Sequence, residues 1–231
     1  MFESFRNHSS VFLLSSLLAL GLLHGFFAGR AGENAVLPVV FLAALVAATA
    51  EAAPSRKLTL IAGGLAGLTF STVVAVRWLH IEALLLALWI VLSTFLVFSV
   101  FLLLQKVLRP GSVSRAKLYD AVSIYLLLGL AWFALYNWTE QQAPGSFRDT
   151  ADGLSHPITP EALLYLSFST LTTVGFGDVV AVRSVSRMLL GAEAIAGVLY
   201  VAILVARLTA LYDHRGALRR SSIPPNEDST N

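Results

Sequence analysis

Residues 170–178 read TLTTVGFGD, with two glycines alternating with Val174 and Phe176 and an acid, Asp178, at the end. The stretch lies between two long apolar segments of a chain that is 56% hydrophobic and only 13% charged. Since a soluble domain carries about a quarter charged residues, this composition indicates a polytopic membrane protein. The sequence contains no cysteine, which excludes disulfides, cysteine-ligated zinc and thiol nucleophiles.

Six segments are long and apolar enough to cross a bilayer, which takes about 20 residues. They are Val11–Ala28, Ala35–Ala52, Leu58–Val76, Ile81–Leu108, Leu118–Trp138 and Met188–Tyr212. The first could instead be a cleaved signal peptide, but the sequence after it makes a poor cleavage site, which favours retention as a span. We therefore predict an all-α membrane protein with six transmembrane helices.

The distribution of Lys and Arg predicts the orientation of these spans. With the amino terminus inside, the cytoplasmic set is Arg6, Arg56, Lys57, Lys106, Arg109, Arg115, Lys117, Arg207, Arg215, Arg219 and Arg220. The opposite side holds Arg30, Arg77, Arg148, Arg183 and Arg187. We therefore expect a multi-pass protein of the plasma membrane with both termini in the cytoplasm and the last connection, 139–187, outside.

That last connection is predicted to contain a re-entrant element. After a polar surface loop at 139–159, Thr159, Pro160 and Glu161 form a helix start, because Thr caps, Pro suits the first position and Glu favours the first turn. Ala162–Leu171 continues this helix but is too short to cross the bilayer. Irregular backbone at membrane depth is tolerated only where it is buried in protein or lines a water-filled path. The segment therefore predicts a pore or a binding cavity.

The glycine spacing suits a backbone whose carbonyls face a common axis. Such a backbone needs left-handed dihedrals at alternate residues, and glycine adopts them without steric penalty, so we expect them at Gly175 and Gly177. Val174 and Phe176 can then pack back against the short helix. Rings of carbonyls, with the Thr173 hydroxyl as the innermost ligand, can replace the water around a monovalent cation.

The string TTVGFGD resembles the selectivity filter of potassium channels, and residues 118–212 resemble their pore module of outer helix, pore helix, filter and inner helix. By this resemblance, the ion-coordinating filter residues are Thr173, Val174, Gly175, Phe176 and Gly177. K+ would bind at the first four of them, and Gly177 would complete the filter backbone. The residues that would support the filter from behind are Thr172, Ser169 and Asp178.

The sequence departs from the family pattern around the filter. Phe176 stands where many relatives have a tyrosine whose hydroxyl bonds the pore helix. Ser169 replaces the glutamate that some bacterial members place beside the aspartate, and Leu166 stands where some have a tryptophan. We therefore expect Asp178 to be under-supported, which would affect inactivation rather than selectivity.

Two residues of the last span raise functional questions. Gly197 lies where the family carries a hinge glycine, although close helix packing is an equally good interpretation. Glu193 lies near the middle of the span, where an acid is costly. It either tunes conduction or gating through its protonation, or, as we favour, is hydrogen-bonded to Ser167, Ser169 or a neighbouring pore helix. Asp120 lies near a span end, where solvation is the ordinary explanation.

The first four spans lack the signature of a voltage sensor, in which each charge that crosses the field contributes about 2.3 kcal/mol per 100 mV. The fourth span has no arginine and only Lys106 at its cytoplasmic end. The AGGLAG stretch at 62–67 suits close helix packing, so we expect a peripheral scaffold. The predicted regions are a four-span region at 1–110, a pore domain at 111–214 and a disordered cytoplasmic tail at 215–231.

One pore module supplies one filter strand, so we predict a lipid-embedded homotetramer that conducts K+ passively. No cofactor, nucleic acid, enzyme chemistry or soluble regulatory domain is expected. The alternatives are a weakly selective monovalent cation channel, whose filter string is usually broken, and a potassium-transporter subunit, which typically carries four degenerate filters. An intramembrane hydrolase would need a nucleophile and a base at depth, and His24, His80 and His156 form no convincing dyad.

Overall fold

Helices form most of the structure, a computed structural model that describes residues 10–19, 42–43, 45–47, 49–50, 52–79, 81–109, 114–150 and 156–221. The helices are α1 (Ser10–Ala19), α2 (Arg56–Leu79), α3 (Glu82–Leu108), α4 (Arg115–Gln142), α5 (Pro160–Leu171) and α6 (Ser184–Ser221). Two short strands, β1 (Phe147–Asp149) and β2 (Val179–Ala181), flank α5 in the chain.

Four helices in the described part of the chain are long and apolar enough to cross a membrane. Their spanning segments are Arg56–Leu79, Ala83–Leu108, Arg115–Gln142 and Ser184–Arg207. These correspond to the third to sixth predicted spans, so the chain is a multi-pass, all-α membrane protein. Of the first predicted span, residues 11–19 fall in α1 and the rest lie outside the described residues. Most of the second predicted span, Ala35–Ala52, also lies outside them.

The amino-terminal helices pack in sequence order, with α2 against α3 and α3 against α4. Phe95 and Leu102 of α3 are buried in one apolar cluster with Ile124 and Leu127 of α4. This interface attaches the preceding spans to the start of the module that contains α4, α5 and α6.

The small-residue stretch of α2 packs through its alanines rather than its glycines. Ala62 and Ala66 are 1% and 6% exposed. By contrast, a Cβ added at Gly63, Gly64 or Gly67 would meet no atom within 4 Å. The expected close packing at 62–67 is thus confirmed for the alanine face only.

The carboxyl end of α3 and the amino end of α4 are joined by an ion pair. The Lys106 ammonium lies 2.9 Å from the Asp120 carboxylate, and the side chain of Asp120 is only 1% exposed. The expectation that solvation explains Asp120 is therefore wrong, since a buried carboxylate is stabilised by a paired cation. The Arg207 guanidinium of α6 also donates to the carbonyl of Leu108, so all three helices meet here.

The short helix α5 begins as predicted. The Thr159 side chain accepts a hydrogen bond from the amide of Ala162, Pro160 occupies the first turn, and Glu161 lies beside it. The helix packs against both α4 and α6. Its apolar side, including Leu163 and Leu166, is buried with neighbours from α4, β1 and β2.

The connection after α4 is more ordered than the surface loop expected at 139–159. Helix α4 runs to Gln142, and β1 then pairs with β2 in antiparallel register, with Arg148 opposite Val180. The Glu140 carboxylate accepts hydrogen bonds from the amides of Gly145 (2.7 Å) and Phe147 (3.0 Å). The β1–β2 pairing holds the loop to the segment that follows 170–178, and a polar composition alone does not indicate it.

The last helix extends further than the predicted span and tail. Helix α6 continues to Ser221, so residues 215–221 are helical where a disordered tail was expected, while 222–231 lie outside the described residues. Alanine, leucine and arginine have high helix propensity, and their frequency between 215 and 221 favours continuation of the helix.

We expect removal of the Asp120 carboxylate to destabilise the chain, because it leaves the half-buried Lys106 ammonium without this counter-charge. Asp120→Leu should lower the free energy of unfolding by about 3–5 kcal/mol, measured by denaturant titration in detergent micelles. The double variant Lys106→Met/Asp120→Leu should recover most of this loss, since it replaces the pair by apolar side chains. Equal stability of Asp120→Leu and the parent chain would contradict the ion-pair assignment.

Candidate functional site

The backbone of 173–177 alternates between left-handed and ordinary dihedrals. Gly175 and Gly177 have φ angles of 57° and 81°, as predicted from the glycine spacing. Thr173 also has a positive φ, 60°, and it is the only non-glycine residue with one in the described chain. Positive φ in a β-branched residue is strained and persists only where the surroundings hold it. The alternation is the one required for successive carbonyls to face one axis.

The amino-terminal end of this loop is hydrogen-bonded to the carboxyl end of α5. The carbonyl of Ser169 accepts hydrogen bonds from the amides of Val174 (2.9 Å) and Gly175 (3.2 Å). The Thr172 hydroxyl donates to the carbonyl of Phe168 at 2.6 Å and closes the last turn. Ser169 therefore contacts the loop through its backbone carbonyl, and Thr172 closes the end of α5; their role as filter supports stays a prediction.

The apolar side chains of the loop behave differently from each other. Phe176 stacks on Tyr165 of α5, with ring centroids 5.9 Å apart and planes 15° apart, as expected for packing back on the helix. Even so, Phe176 is 70% exposed in the single chain, and Val174 is 54% exposed. Both side chains thus leave apolar area that this chain alone does not cover.

The outer end of the loop is fixed at Asp178. One carboxylate oxygen accepts hydrogen bonds from the Tyr165 hydroxyl (3.1 Å) and the Val179 amide (3.0 Å). Its carbonyl accepts from the amide (2.7 Å) and hydroxyl (2.8 Å) of Thr150, which follows β1. Asp178 is therefore held from α5, from the chain after it and from the outer loop.

The expectation that Asp178 is under-supported is wrong. That inference compared only Ser169 and Leu166 with the side chains found there in relatives, whereas Tyr165 supplies the donor one position earlier on α5. Leu166 is instead 5% exposed in the apolar cluster behind the loop. The Tyr165 phenol is long enough to reach the Asp178 carboxylate. The hydroxyl that Phe176 lacks thus has a counterpart on α5.

Glu193 is fully buried behind α5, with 0% of its surface exposed. Its carboxyl lies 2.6 Å from the Ser167 hydroxyl of α5 and contacts the Tyr136 hydroxyl of α4. The predicted hydrogen bond from Glu193 to Ser167 is confirmed. Ser169, the other predicted partner, contacts the loop instead.

Gly197 lies where α6 meets the end of α5. A Cβ at this position would overlap the carbonyl of Leu171, so the close-packing interpretation of Gly197 is confirmed. The hinge interpretation stays a prediction. The same carbonyl accepts a hydrogen bond from the Tyr125 hydroxyl of α4 at 2.9 Å. The last turn of α5 is therefore held between α4 and α6.

Side-chain clusters that would suggest other chemistry are absent from the described residues. They contain no group of three or more His, Cys, Asp or Glu that could hold a metal ion. His156 pairs through its backbone with Asp149 in the outer loop, and His24 and His80 lie outside the described residues. Any cation at the loop would be coordinated by backbone and hydroxyl oxygens.

Four hydroxyl-bearing residues of the site escaped the sequence analysis: Tyr125, Tyr136, Thr150 and Tyr165. A buried tyrosine hydroxyl in an apolar helix normally needs a partner, so the tyrosines were a usable signal. The partner itself depends on which helix faces them, and sequence spacing does not give that.

Residues 121–213 match a family model described as an ion channel. The matched segment begins in α4, contains α5 and the loop at 172–178, and ends in α6. Comparison with curated proteins and with solved structures found no match. Residues 121–213 are therefore similar to an ion-channel domain, and the loop at 172–178 lies within the matched segment.

Substitution of Gly197 by alanine should loosen the attachment of α5 to α6, because the new methyl group overlaps the carbonyl of Leu171. We expect Gly197→Ala to lower the free energy of unfolding in detergent by about 1–3 kcal/mol. The control Gly64→Ala, where a Cβ meets open space, should be neutral or slightly stabilising because alanine favours the helix. Equal effects of the two substitutions would show that position 197 has room.

Proposed function

We propose that this chain is one subunit of a potassium-selective channel that conducts K+ passively through the loop at 172–178. Thr173, Val174, Gly175 and Phe176 provide the coordinating oxygens, and Gly177 completes the filter backbone. The observation that carries the proposal is the alternation of left-handed residues at Thr173, Gly175 and Gly177. Successive carbonyls can then replace the hydration shell of a monovalent cation, and adjacent sites let ions repel one another onward.

The surfaces that the single chain leaves open support the proposal of a homotetramer. The loop residues 172–177 are all exposed, and the apolar side chains of Val198, Leu199 and Ile203 on α6 are more than half exposed. A ring of four loops surrounds an ion, and the same arrangement covers Val174 and Phe176 with neighbouring copies. We therefore infer that four chains pack through α5, α6 and the loop around one axis.

The amino-terminal region, 1–110, acts in this proposal as a peripheral scaffold in the plasma membrane, with both termini cytoplasmic. Lys106, the only basic residue of α3, is engaged by Asp120. A voltage sensor instead needs several cations free to move through the field. The scaffold thus supports the pore module without acting as a charged sensor, and the gate responds to another stimulus.

The decisive experiment is the reversal potential of the purified protein in a planar bilayer with opposed K+ and Na+ gradients. We expect a value close to the potassium equilibrium potential. A clear current that reverses near zero would overturn potassium selectivity and favour the alternative, a weakly selective cation channel. A pH series on the same bilayer distinguishes a closed gate from a protein that does not conduct.

Gly177→Ala should abolish or strongly reduce potassium selectivity. A left-handed alanine costs about 1–2 kcal/mol, and the tetramer carries the change four times. We expect the K+/Na+ permeability ratio from reversal potentials to fall at least about tenfold, whereas Gly64→Ala on the exposed face of α2 should leave it unchanged. A ratio that survives Gly177→Ala would argue against a filter built on the left-handed conformation.

Tyr165→Phe should destabilise the outer end of the filter, because it removes the hydroxyl that donates to Asp178. The loss of a partly exposed hydrogen bond of about 1 kcal/mol should speed the decay of current during sustained opening by roughly fivefold. Selectivity at early times should persist. Tyr119→Phe, near the opposite end of α4 from the outer loop, serves as the control. An unchanged rate of current decay in Tyr165→Phe would show that this hydrogen bond does not help to keep the filter conductive.

A further inference from the structure

We propose that Glu193 is held as a neutral carboxylic acid and is a positioning residue for the filter, linking α6 to α4 and α5 through a chain of hydrogen bonds. The protonation state follows from geometry alone. The role in positioning rests on the function proposed above, because it assigns α5 and its loop to an ion pathway.

Three pairs of oxygens approach one another around this carboxyl. The Ser167 hydroxyl lies 2.6 Å from the Glu193 Oε1 atom and 2.8 Å from the carbonyl oxygen of Gly129. The Tyr136 hydroxyl contacts Glu193 Oε2. In each pair the two oxygens are too close to lie side by side without a hydrogen between them, so each pair needs one.

The hydroxyls cannot supply all three hydrogens. Ser167 and Tyr136 carry one each, and the carbonyl of Gly129 carries none. No other donor among the described residues contacts the carboxyl of Glu193. The third hydrogen must therefore be on Glu193 itself.

Only one arrangement places a hydrogen in every pair. Tyr136 donates to Oε2, Glu193 donates from Oε1 to Ser167, and Ser167 donates to the carbonyl of Gly129. An ionised Glu193 would accept the hydrogen bond from the Ser167 hydroxyl. The oxygens of Ser167 and Gly129 would then lie 2.8 Å apart with no hydrogen between them. Burial favours the same neutral state, because an uncompensated charge in the bilayer interior is costly.

Among the described residues, the groups that surround Glu193 contain no cation that would stabilise a carboxylate. On α4 the facing ionisable groups are Tyr136 and Tyr125, and the Tyr125 hydroxyl is already donated to the carbonyl of Leu171. On α5 the facing group is Ser167, which does not ionise. The acid therefore acts through its hydrogen bonds and shape rather than through its charge.

The chain of bonds ends close to the filter. Ser167 lies two residues before Ser169, whose carbonyl holds the amides of Val174 and Gly175. Glu193 itself lies one helical turn before Gly197, which contacts the carbonyl at the end of α5. Glu193 and Gly197 thus fix α5 against α6 at two successive turns, and a displacement of α6 is passed to the loop.

Infrared spectroscopy of the full-length protein in lipid tests the protonation state. Wild type should show the carbonyl stretch of a protonated carboxylic acid, and this band should be missing in Glu193→Gln. The control Glu161→Gln, which alters an exposed acid in the first turn of α5, should keep the band. Identical carboxylic-acid regions in wild type and Glu193→Gln would overturn the proposal.

Permeability measurements test the role in positioning. Glutamine can donate to Ser167 and accept from Tyr136, so Glu193→Gln should keep the K+/Na+ permeability ratio within about twofold. Glu193→Ala removes the link, and a lost buried hydrogen bond of about 1–3 kcal/mol should lower the ratio by roughly tenfold. A large loss in Glu193→Gln, or no loss in Glu193→Ala, would overturn the positioning role. If wild type shows no potassium selectivity, the proposed function fails, while the infrared result still decides the protonation state.

Discussion

The constraint on which the proposed pore depends is that a backbone with its carbonyls directed at an ion path cannot use those carbonyls to hold itself in place. The loop at 172–178 must be fixed through its amides and its two ends. At the inner end, the carbonyl of Ser169 takes the amides of Val174 and Gly175. At the outer end, Asp178 is held by Tyr165 and Thr150. The left-handed strain at Thr173 persists because both ends are anchored.

Because these contacts anchor the loop on α5, the loop is rigid only if α5 is held in place. Helix α5 is too short to be stable by itself. The neighbouring helices α4 and α6 contact α5 at glycines, which have no side chain. A Cβ at Gly129 of α4 would lie 2.6 Å from the ring of Phe168, and one at Gly197 of α6 would overlap the end of α5. Between them, Glu193, Ser167 and Tyr136 join three helices by hydrogen bonds in a region where water is scarce. The polar residues of this apolar module are therefore concentrated where helices meet.

The amino-terminal helices are attached to the module at two levels. In the bilayer interior, α3 packs on α4 through large apolar side chains such as Phe95 and Leu127. At the carboxyl end of α3, Lys106 pairs with Asp120, and Arg207 of α6 binds the carbonyl of Leu108. This end of α6 is thereby connected to α3, which in the proposed channel would link the amino-terminal helices mechanically to α6.

The sequence by itself determined the membrane class, the cap of α5, the left-handed glycines and the position of the candidate filter. These features are local or periodic, since they depend on runs of apolar residues, on capping side chains and on the conformational freedom of glycine. Only the tertiary structure decided that Tyr165 supports Asp178, that Asp120 is buried with Lys106, and that the outer loop pairs as β1 with β2. Each of these contacts joins residues that are separated in the sequence. The sequence does not give the partner, because it depends on how the helices are oriented around α5. The hydrogen bond between Glu193 and Ser167 was predicted from the sequence, whereas the contact with Tyr136 was not, because it depends on how α4 faces α6.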